Sequence, residues 1–184
     1  MRNLLLFLAT LLSLGQVQAA KPHALFVVGT HHYSPHETMP ALASQLDALG
    51  WKTSVLNPSY NPEKNSKGIA GLERLQEADV AIFYTRFLTL PPDQFRLIQL
   101  YLEAGKPVVG FRTSTHAFDY PKDNSLAKWN NGFGNDALGT QYFAHLQGDT
   151  SVTLAKGAGG HSILTGINLT KPIAAAGTLY LADL

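Results

Sequence analysis

The segment Gly105–Phe118, GKPVVGFRTSTHAF, contains the pattern that decides the fold. Its turn-forming Gly-Lys-Pro leads into the short apolar run Val108–Phe111, which predicts a buried strand. This strand is followed at once by Arg112–His116, five polar residues that carry guanidinium, hydroxyl and imidazole groups. In open α/β sheets, ligands bind beside the carboxyl ends of the strands. The segment therefore predicts a strand of a parallel sheet and a functional site at its end.

Apolar runs and amphipathic stretches alternate from the start of the domain to this segment. Continuous apolar strands between amphipathic helices indicate a mainly parallel sheet covered on both faces, a flavodoxin-like or Rossmann-like three-layer sandwich of the α/β class. Val28–His32 stands where a Gly-x-Gly-x-x-Gly would follow the first strand, so no dinucleotide is expected. The predicted strands are His23–Gly29, Thr53–Leu56, Val80–Tyr84 and Val108–Phe111, and the predicted helices are Thr38–Leu49, Leu72–Ala78 and Pro92–Ala104.

The periodic pattern weakens after Phe118. Asp119–Gly139 is rich in Asn, Gly, Lys and Pro, which indicates a long functional loop or lid. Ser151–Leu154 and Thr178–Leu181 are candidates for further strands. Because the sequence stops at Leu184 within an apolar run, we expect the natural chain to continue beyond it.

The first nineteen residues have the composition of a secretory signal peptide. Arg2 gives a positive start, Leu4–Leu14 an apolar core and Val17–Ala19 a small-residue cleavage pattern. The apolar run is shorter than the ~20 residues that a spanning helix needs. We therefore expect a mature domain of residues 20–184 that is exported to the periplasm or the extracellular space, with no membrane span after signal removal.

Charge and cysteine content exclude several classes of function. The chain has 14 Lys and Arg against 13 Asp and Glu, and loss of Arg2 with the signal makes the mature protein formally neutral. Such unclustered charge does not favour nucleic-acid binding. The absence of cysteine excludes disulfides, a thiol nucleophile and thiolate metal ligands.

Polar residues at the predicted strand ends are the candidates for chemistry. His116 is the candidate catalytic residue, as a proton carrier. An Arg at a strand end presents a fork of donors to a ligand or forms a salt bridge that fixes the loop, and both interpretations stay open. The hydroxyl groups of Thr113 and Ser114 are expected to be structural, since Gly-x-Ser-x-Gly is absent. The candidate ligand-binding residues are His32, Arg86, Arg112, Thr115 and Trp129, the last as a stacking platform for a sugar ring.

The region from Thr30 to Pro40 allows two interpretations. Ser34–Glu37 matches a capping box with Pro at the first helical position, although Pro40 leaves room for a helix that starts nearer Thr38. His32 and His36 are four residues apart, as in paired imidazole ligands of zinc, and His116 could complete such a site. A divalent metal is therefore an alternative to a metal-free pocket.

Five segments together resemble the ThuA-like (trehalose-utilisation) family, which shares the fold of class I glutamine amidotransferases. The resemblance extends from about Pro22 to Leu184, and the Arg-Thr-x-Thr-His-Ala-Phe stretch is its most specific part. The segments are Phe26–Tyr33, Glu37–Pro40, Tyr84–Phe87, Gly105–Phe118 and Asn131–Gly134.

The resemblance implies the fold and a link to carbohydrates. The nucleophilic Cys of the superfamily aligns with Arg112 or Thr113, so glutamine hydrolysis by a thiolate is not expected. The primary hypothesis is an exported ThuA-like domain that binds or processes a carbohydrate-type small molecule. The alternatives are a metal-dependent hydrolase of a sugar derivative, with ligands among His31 or His32, His36, Glu37 and His116, and a non-catalytic interaction domain of an envelope complex.

Overall fold

A four-stranded parallel sheet forms the centre of the molecule. The computed structural model describes residues 20–168, 170–175 and 177–181, and the predicted signal peptide lies outside them. The strands are β1 (His23–Gly29), β2 (Lys52–Leu56), β3 (Val80–Thr85) and β4 (Val108–Gly110), in the spatial order β2-β1-β3-β4. The predicted α/β class with a parallel sheet is confirmed, and the order is that of the first four strands of flavodoxin-like sheets.

Helices flank the sheet, and a small hairpin follows them. The α-helices are α1 (Pro35–Ala48), α2 (Pro92–Glu103) and α3 (Trp129–Leu138), and the longer 3-10 helices are Leu72–Glu77 and Arg112–His116. Later come β5 (Thr150–Val152) and β6 (Ile173–Ala175), which pair antiparallel, with two one-turn 3-10 helices between them. None of the helices in the described ranges is long and apolar enough to cross a membrane.

The alternating side chains of the central strands create a core on each face of the sheet. Ala24, Phe26 and Val28 of β1 pack on one face with Met39 and Ala43 of α1. On the other face, Leu25 and Val27 of β1 and Phe83 of β3 pack against α2, α3 and the 72–77 helix. The helices contribute Leu72, Leu75, Phe95, Ile98 and Phe133 to this core. Full burial of one such aliphatic or aromatic side chain stabilises the fold by about 1.5–3 kcal/mol. Because both faces are covered, β1 is buried along its whole length, and its residues from Ala24 to Val28 are apolar.

The start of α1 matches one of the two predicted positions but not the predicted capping chemistry. The helix begins at Pro35, directly after Ser34, yet the Ser34 side chain makes no capping hydrogen bond. Ser34 has a φ of 54°, a left-handed conformation, instead of the extended conformation of an ordinary N-cap. The tight turn after β1 therefore overrides the capping box.

Two predictions for the second half of the chain are wrong. The predicted loop Asp119–Gly139 contains helix α3 in its second half. The predicted strand Thr178–Leu181 does not form, and Tyr180 makes only an isolated β-bridge to His145. Gly132 and Gly134 hide α3 from the sequence pattern, since glycine is a poor helix former. A Cβ on Gly134 would lie 2.5 Å from the carbonyl oxygen of Thr115 and 2.7 Å from that of Thr140. This glycine therefore allows α3 to pack closely against the 112–116 helix.

Candidate functional site

The candidate site lies at the carboxyl edge of the sheet, where the loops after β1, β3 and β4 begin. In the β2-β1-β3-β4 order the chain leaves β1 toward one side for β2 and returns on the other side for β3. This reversal is a topological switch point, the usual place of a ligand in open α/β sheets. We use the name strand-end cluster for the following side chains: His32, Tyr33, Glu63, Arg86, Arg112, Thr115, His116, Tyr142 and Tyr180.

Backbone strain is concentrated at this edge. Five non-glycine residues among the described ones have positive φ, and all five lie in the segments that follow the carboxyl ends of the four strands. Phe87 (φ 48°) and Arg112 (φ 44°) stand two residues beyond the ends of β3 and β4, and Arg112 is the first residue of the 112–116 helix. The others are Tyr33, Ser34 and Lys64. Conformations of this kind cost about 1–3 kcal/mol each and cluster at functional sites.

A carboxylate from the loop after β2 connects the loops after β1 and β3. Thr30 donates its hydroxyl hydrogen to Glu63 Oε2 at 2.9 Å, and Arg86 pairs with Glu63 Oε1. Thr30 Oγ1 also accepts a hydrogen bond from the backbone N–H of His32 at 3.0 Å. The arrangement favours the salt-bridge interpretation of Arg86, because its charge is neutralised and its guanidinium is held over the Phe87 ring at 4.3 Å.

Arg112 is exposed and stacked on tyrosines. Its guanidinium carbon lies 4.1 Å from the centroid of the Tyr33 ring and 5.7 Å from that of Tyr180. In contrast to Arg86, it forms no ion pair with any carboxylate in the described part of the chain. Stacking on an aromatic face leaves the N–H edge of a guanidinium free to donate. Arg112 is therefore a fixed cationic donor at the mouth of the cluster.

His116 lies beneath an aromatic cover. Its ring is 9% exposed and contacts Phe87, Tyr142 and Tyr180 at centroid distances of 5.2, 4.5 and 5.7 Å. Burial, followed by the charge of Arg86 and the nearby His32, lowers the pKa of His116 from 6.5 to about 4. The imidazole is therefore neutral at pH 7, and a ligand can reach it only when the tyrosines move aside.

The charges of the cluster act on two further groups. Burial lowers the pKa of His32, the Arg86 and Arg112 guanidinium groups lower it further, and Glu63 opposes them. Burial raises the pKa of Tyr180 to about 12, and its interaction with Tyr33 adds to the shift. At His32 the two guanidinium groups therefore disfavour the protonated imidazole, and Glu63 favours it.

The hydroxyl groups of the 112–116 helix have different environments. Ser114 is fully buried and donates to the Phe83 carbonyl oxygen at 2.9 Å, while it accepts from the Thr85 N–H at 3.2 Å. This side chain ties the helix to β3, as expected for a structural hydroxyl, and is not exposed as a nucleophile. Thr115 is half-buried, with Oγ1 3.4 Å from His116 Nδ1.

Trp129 does not join the strand-end cluster. It stands at the start of α3, and its ring packs on Phe95 of α2 at a centroid distance of 5.3 Å. Its indole N–H is buried without a hydrogen-bond partner. This packing at the margin of the core is the common fate of an aromatic side chain and does not support a sugar-stacking role.

His32, His36 and His116, the histidines of the metal hypothesis, each pack against a different aromatic ring and do not converge on one point. His36 stacks on His31 at 4.0 Å, His32 packs on Tyr33, and His116 packs under the tyrosines. Within the described ranges, no group of three or more His, Cys, Asp or Glu side chains is arranged to hold a metal ion. The geometry therefore gives the metal alternative no support.

Sequence reasoning missed four members of the cluster. Glu63 lies in a polar loop without a recognisable motif, and Tyr33 is within a motif that drew attention to its histidines. Tyr142 and Tyr180 come from the irregular C-terminal segment, which packs back over His116. The sequence indicates only one of these members indirectly: a half-buried guanidinium such as that of Arg86 requires an acidic partner, which the structure shows to be Glu63.

Three surface cavities, of about 540, 220 and 290 Å³, lie away from the strand-end cluster, and no residue of the cluster lines any of them. The largest is formed by the C-terminal segment around Leu154, Leu164 and Ile167. The accessible part of the cluster is its mouth, formed by His32, Tyr33 and Arg112.

Comparison with known proteins found no match to a protein-family model, to a curated protein or to a solved structure.

Proposed function

We propose that this protein is an exported binding domain for a carbohydrate-type small molecule, held at the mouth of the strand-end cluster. The observation that carries the proposal is the strained backbone beyond the sheet: all five left-handed non-glycine residues lie at the carboxyl edge. Strain that persists at a topological switch point favours a pre-organised binding site.

The chemistry of the mouth suits a sugar. The C–H face of a pyranose packs on an aromatic ring, and its hydroxyl groups accept hydrogen bonds from fixed donors. Tyr33 offers a ring that is 48% exposed, and Arg112 offers its guanidinium beside it. The resemblance to the ThuA-like family supports the same class of ligand.

Binding is better supported than hydrolysis. Glycosidases usually place two carboxyl groups on either side of the scissile bond. In the strand-end cluster Glu63 is the one carboxylate, and its two oxygens are engaged by Thr30 and Arg86. With a pKa of about 4, His116 is a weak base at neutral pH.

Isothermal titration with neutral mono- and disaccharides tests the proposal. We expect Tyr33→Ala to weaken binding by about tenfold or more, because a stacked ring contributes on the order of 1–2 kcal/mol. Leu100→Ala is the matched control, since Leu100 is 41% exposed on α2 and outside the cluster. If no saccharide binds, or if both variants bind as the wild type does, the proposal fails.

An interaction function is the second candidate, because the C-terminal segment exposes many apolar side chains. Nine large apolar residues between positions 143 and 181 are at least 41% exposed, with Ile163 at 75%. Clustered exposed apolar surface is typical of interaction sites. Under this candidate, the protein is recovered from envelope extracts in a stable complex that Ile163→Asp disrupts. Recovery of the protein alone and as a monomer would count against it.

A further inference from the structure

The strand-end cluster has one cation that forms no ion pair within the described part of the chain. Arg86 is neutralised by Glu63, whereas Arg112 lacks an ion pair with any described carboxylate. The other arginine with a described ion pair, Arg96, is matched by Glu103 at 2.8 Å on the surface of α2. Arg112 therefore differs from both, although it stands in the most constrained part of the chain.

The backbone and the rings fix the direction of this cation. Arg112 has a left-handed backbone with φ 44°, which turns the chain sharply out of β4. Its guanidinium carbon lies over the Tyr33 ring, 4.1 Å from the centroid, and the residue remains exposed to a ligand. A fixed planar fork of donors matches a carboxylate or a phosphate better than a neutral hydroxyl group.

The electrostatics of the neighbouring groups point the same way. The pKa of His32 is lowered by burial and by both arginines, and Glu63 offsets only part of this effect. His116 is held neutral beneath the tyrosines, so it adds no positive charge to those of Arg86 and Arg112. With two guanidinium groups and one carboxylate, the cluster keeps one positive charge that a ligand can neutralise.

We propose that the ligand of the strand-end cluster is an anionic sugar derivative, whose carboxylate or phosphate group binds the Arg112 guanidinium while its ring packs on Tyr33. This inference rests on the proposed carbohydrate function and narrows it to acidic sugars. It assigns Arg112 as the residue that distinguishes acidic from neutral ligands. A bound anion beside His32 also stabilises the protonated imidazole, so it raises the pKa of His32.

Titration calorimetry with matched ligands tests the inference. The ligands are D-glucose, D-glucuronate and D-glucose 6-phosphate, and acetate and inorganic phosphate serve as anions without a sugar. We expect at least one acidic sugar to bind at least about tenfold more tightly than glucose, the difference that a charge-assisted hydrogen bond supplies. The stronger of the two acidic ligands tells whether the site selects carboxylate or phosphate.

Variants at Arg112 assign the effect. Arg112→Met removes the charge and the donors and keeps much of the apolar stem, so it should abolish the preference for acidic sugars. Glucose, which loses only a neutral hydrogen bond at Arg112, should lose several times less affinity than the acidic sugar does. Arg112→Lys keeps the charge but loses the planar fork, and should retain part of the preference. Arg96→Met is the control, because it removes a surface cation from α2. NMR of the His32 imidazole gives a second readout, a pKa raised by glucuronate or glucose 6-phosphate in the wild type only.

The outcomes separate this inference from the proposed function. If glucose and both acidic sugars bind equally and Arg112→Met changes nothing, the inference is wrong and the carbohydrate function survives. If acetate or phosphate shifts the His32 signal in an Arg112-dependent way while no sugar binds, the anion site stands and the carbohydrate function falls. If no sugar and no anion binds by calorimetry and none shifts the His32 signal, both are overturned.

Discussion

Acidification probes the burial of His116 through the stability of the protein. In the folded state the pKa of His116 is about 4, against an ordinary value of 6.5. Between these two values the unfolded chain binds a proton that the folded chain does not, so stability falls as the pH falls. At about 1.4 kcal/mol per pH unit, His116 contributes a loss of roughly 3 kcal/mol between pH 6.5 and pH 4. Above about pH 7.5 its contribution is constant, because the imidazole is neutral in both states.

Urea unfolding at several pH values measures this loss. We compare the wild type with His116→Phe, whose ring fits among Phe87, Tyr142 and Tyr180 and carries no titratable group. The difference in unfolding free energy between the two proteins should change by about 3 kcal/mol in favour of the variant on going from pH 7 to pH 4. His161→Phe is the control, since His161 is exposed in the C-terminal segment. The difference in unfolding free energy between the wild type and this control should be the same at pH 7 and pH 4.

NMR titration of the His116 imidazole provides the direct check. A signal that stays neutral down to about pH 4 agrees with the aromatic cover. A midpoint near 6.5, or a wild type and His116→Phe variant whose stabilities change in parallel with pH, would refute the reasoning. The tyrosines would then not cover the imidazole, and the C-terminal segment would pack elsewhere.

Three further predictions concern the same region. Gly134→Ala should destabilise the protein by about 2–4 kcal/mol in urea unfolding, because the added Cβ meets two backbone carbonyl oxygens within 2.7 Å. Gly132→Ala in the same helix has its nearest contact at 3.6 Å and should instead be neutral or stabilising by up to about 1 kcal/mol, and equal effects of the two variants would contradict the packing of α3. Ser114→Ala should cost about 1–3 kcal/mol of unfolding free energy through two lost buried hydrogen bonds while sugar affinity stays unchanged, and a large loss of affinity without a loss of stability would argue against its structural role. Tyr142→Ala should expose His116 and raise its pKa from about 4 toward 6.5 in an NMR titration, and an unchanged pKa would mean that this ring is not the cover.

The sequence predicted the sheet well because a strand buried on both faces appears in the sequence as a continuous run of apolar residues. The strand His23–Gly29 is apolar from Ala24 to Val28 and was predicted with the observed bounds. Pro92 and Gly105 marked the ends of α2 to within two residues. The edge of the sheet that carries the polar groups followed from the same pattern, since parallel strands align their carboxyl ends. Helix α3 was not predicted, because Gly134 is required by a tertiary contact, the close approach of the helix to the carbonyl oxygen of Thr115. The sequence pattern around it gives no indication of this contact.

By itself the sequence determined the layered α/β fold and the edge at which polar side chains gather, since hydrophobic periodicity is a local property of the chain. Which of these groups touch was decided only by the tertiary structure. Glu63 reaches Arg86 across 23 positions of the chain, and Tyr180 covers His116 from 64 positions away. Such pairings depend on loop paths with no periodic signal. They decide that Arg86 is paired with a carboxylate, whereas Arg112 has no such partner among the residues the structure describes.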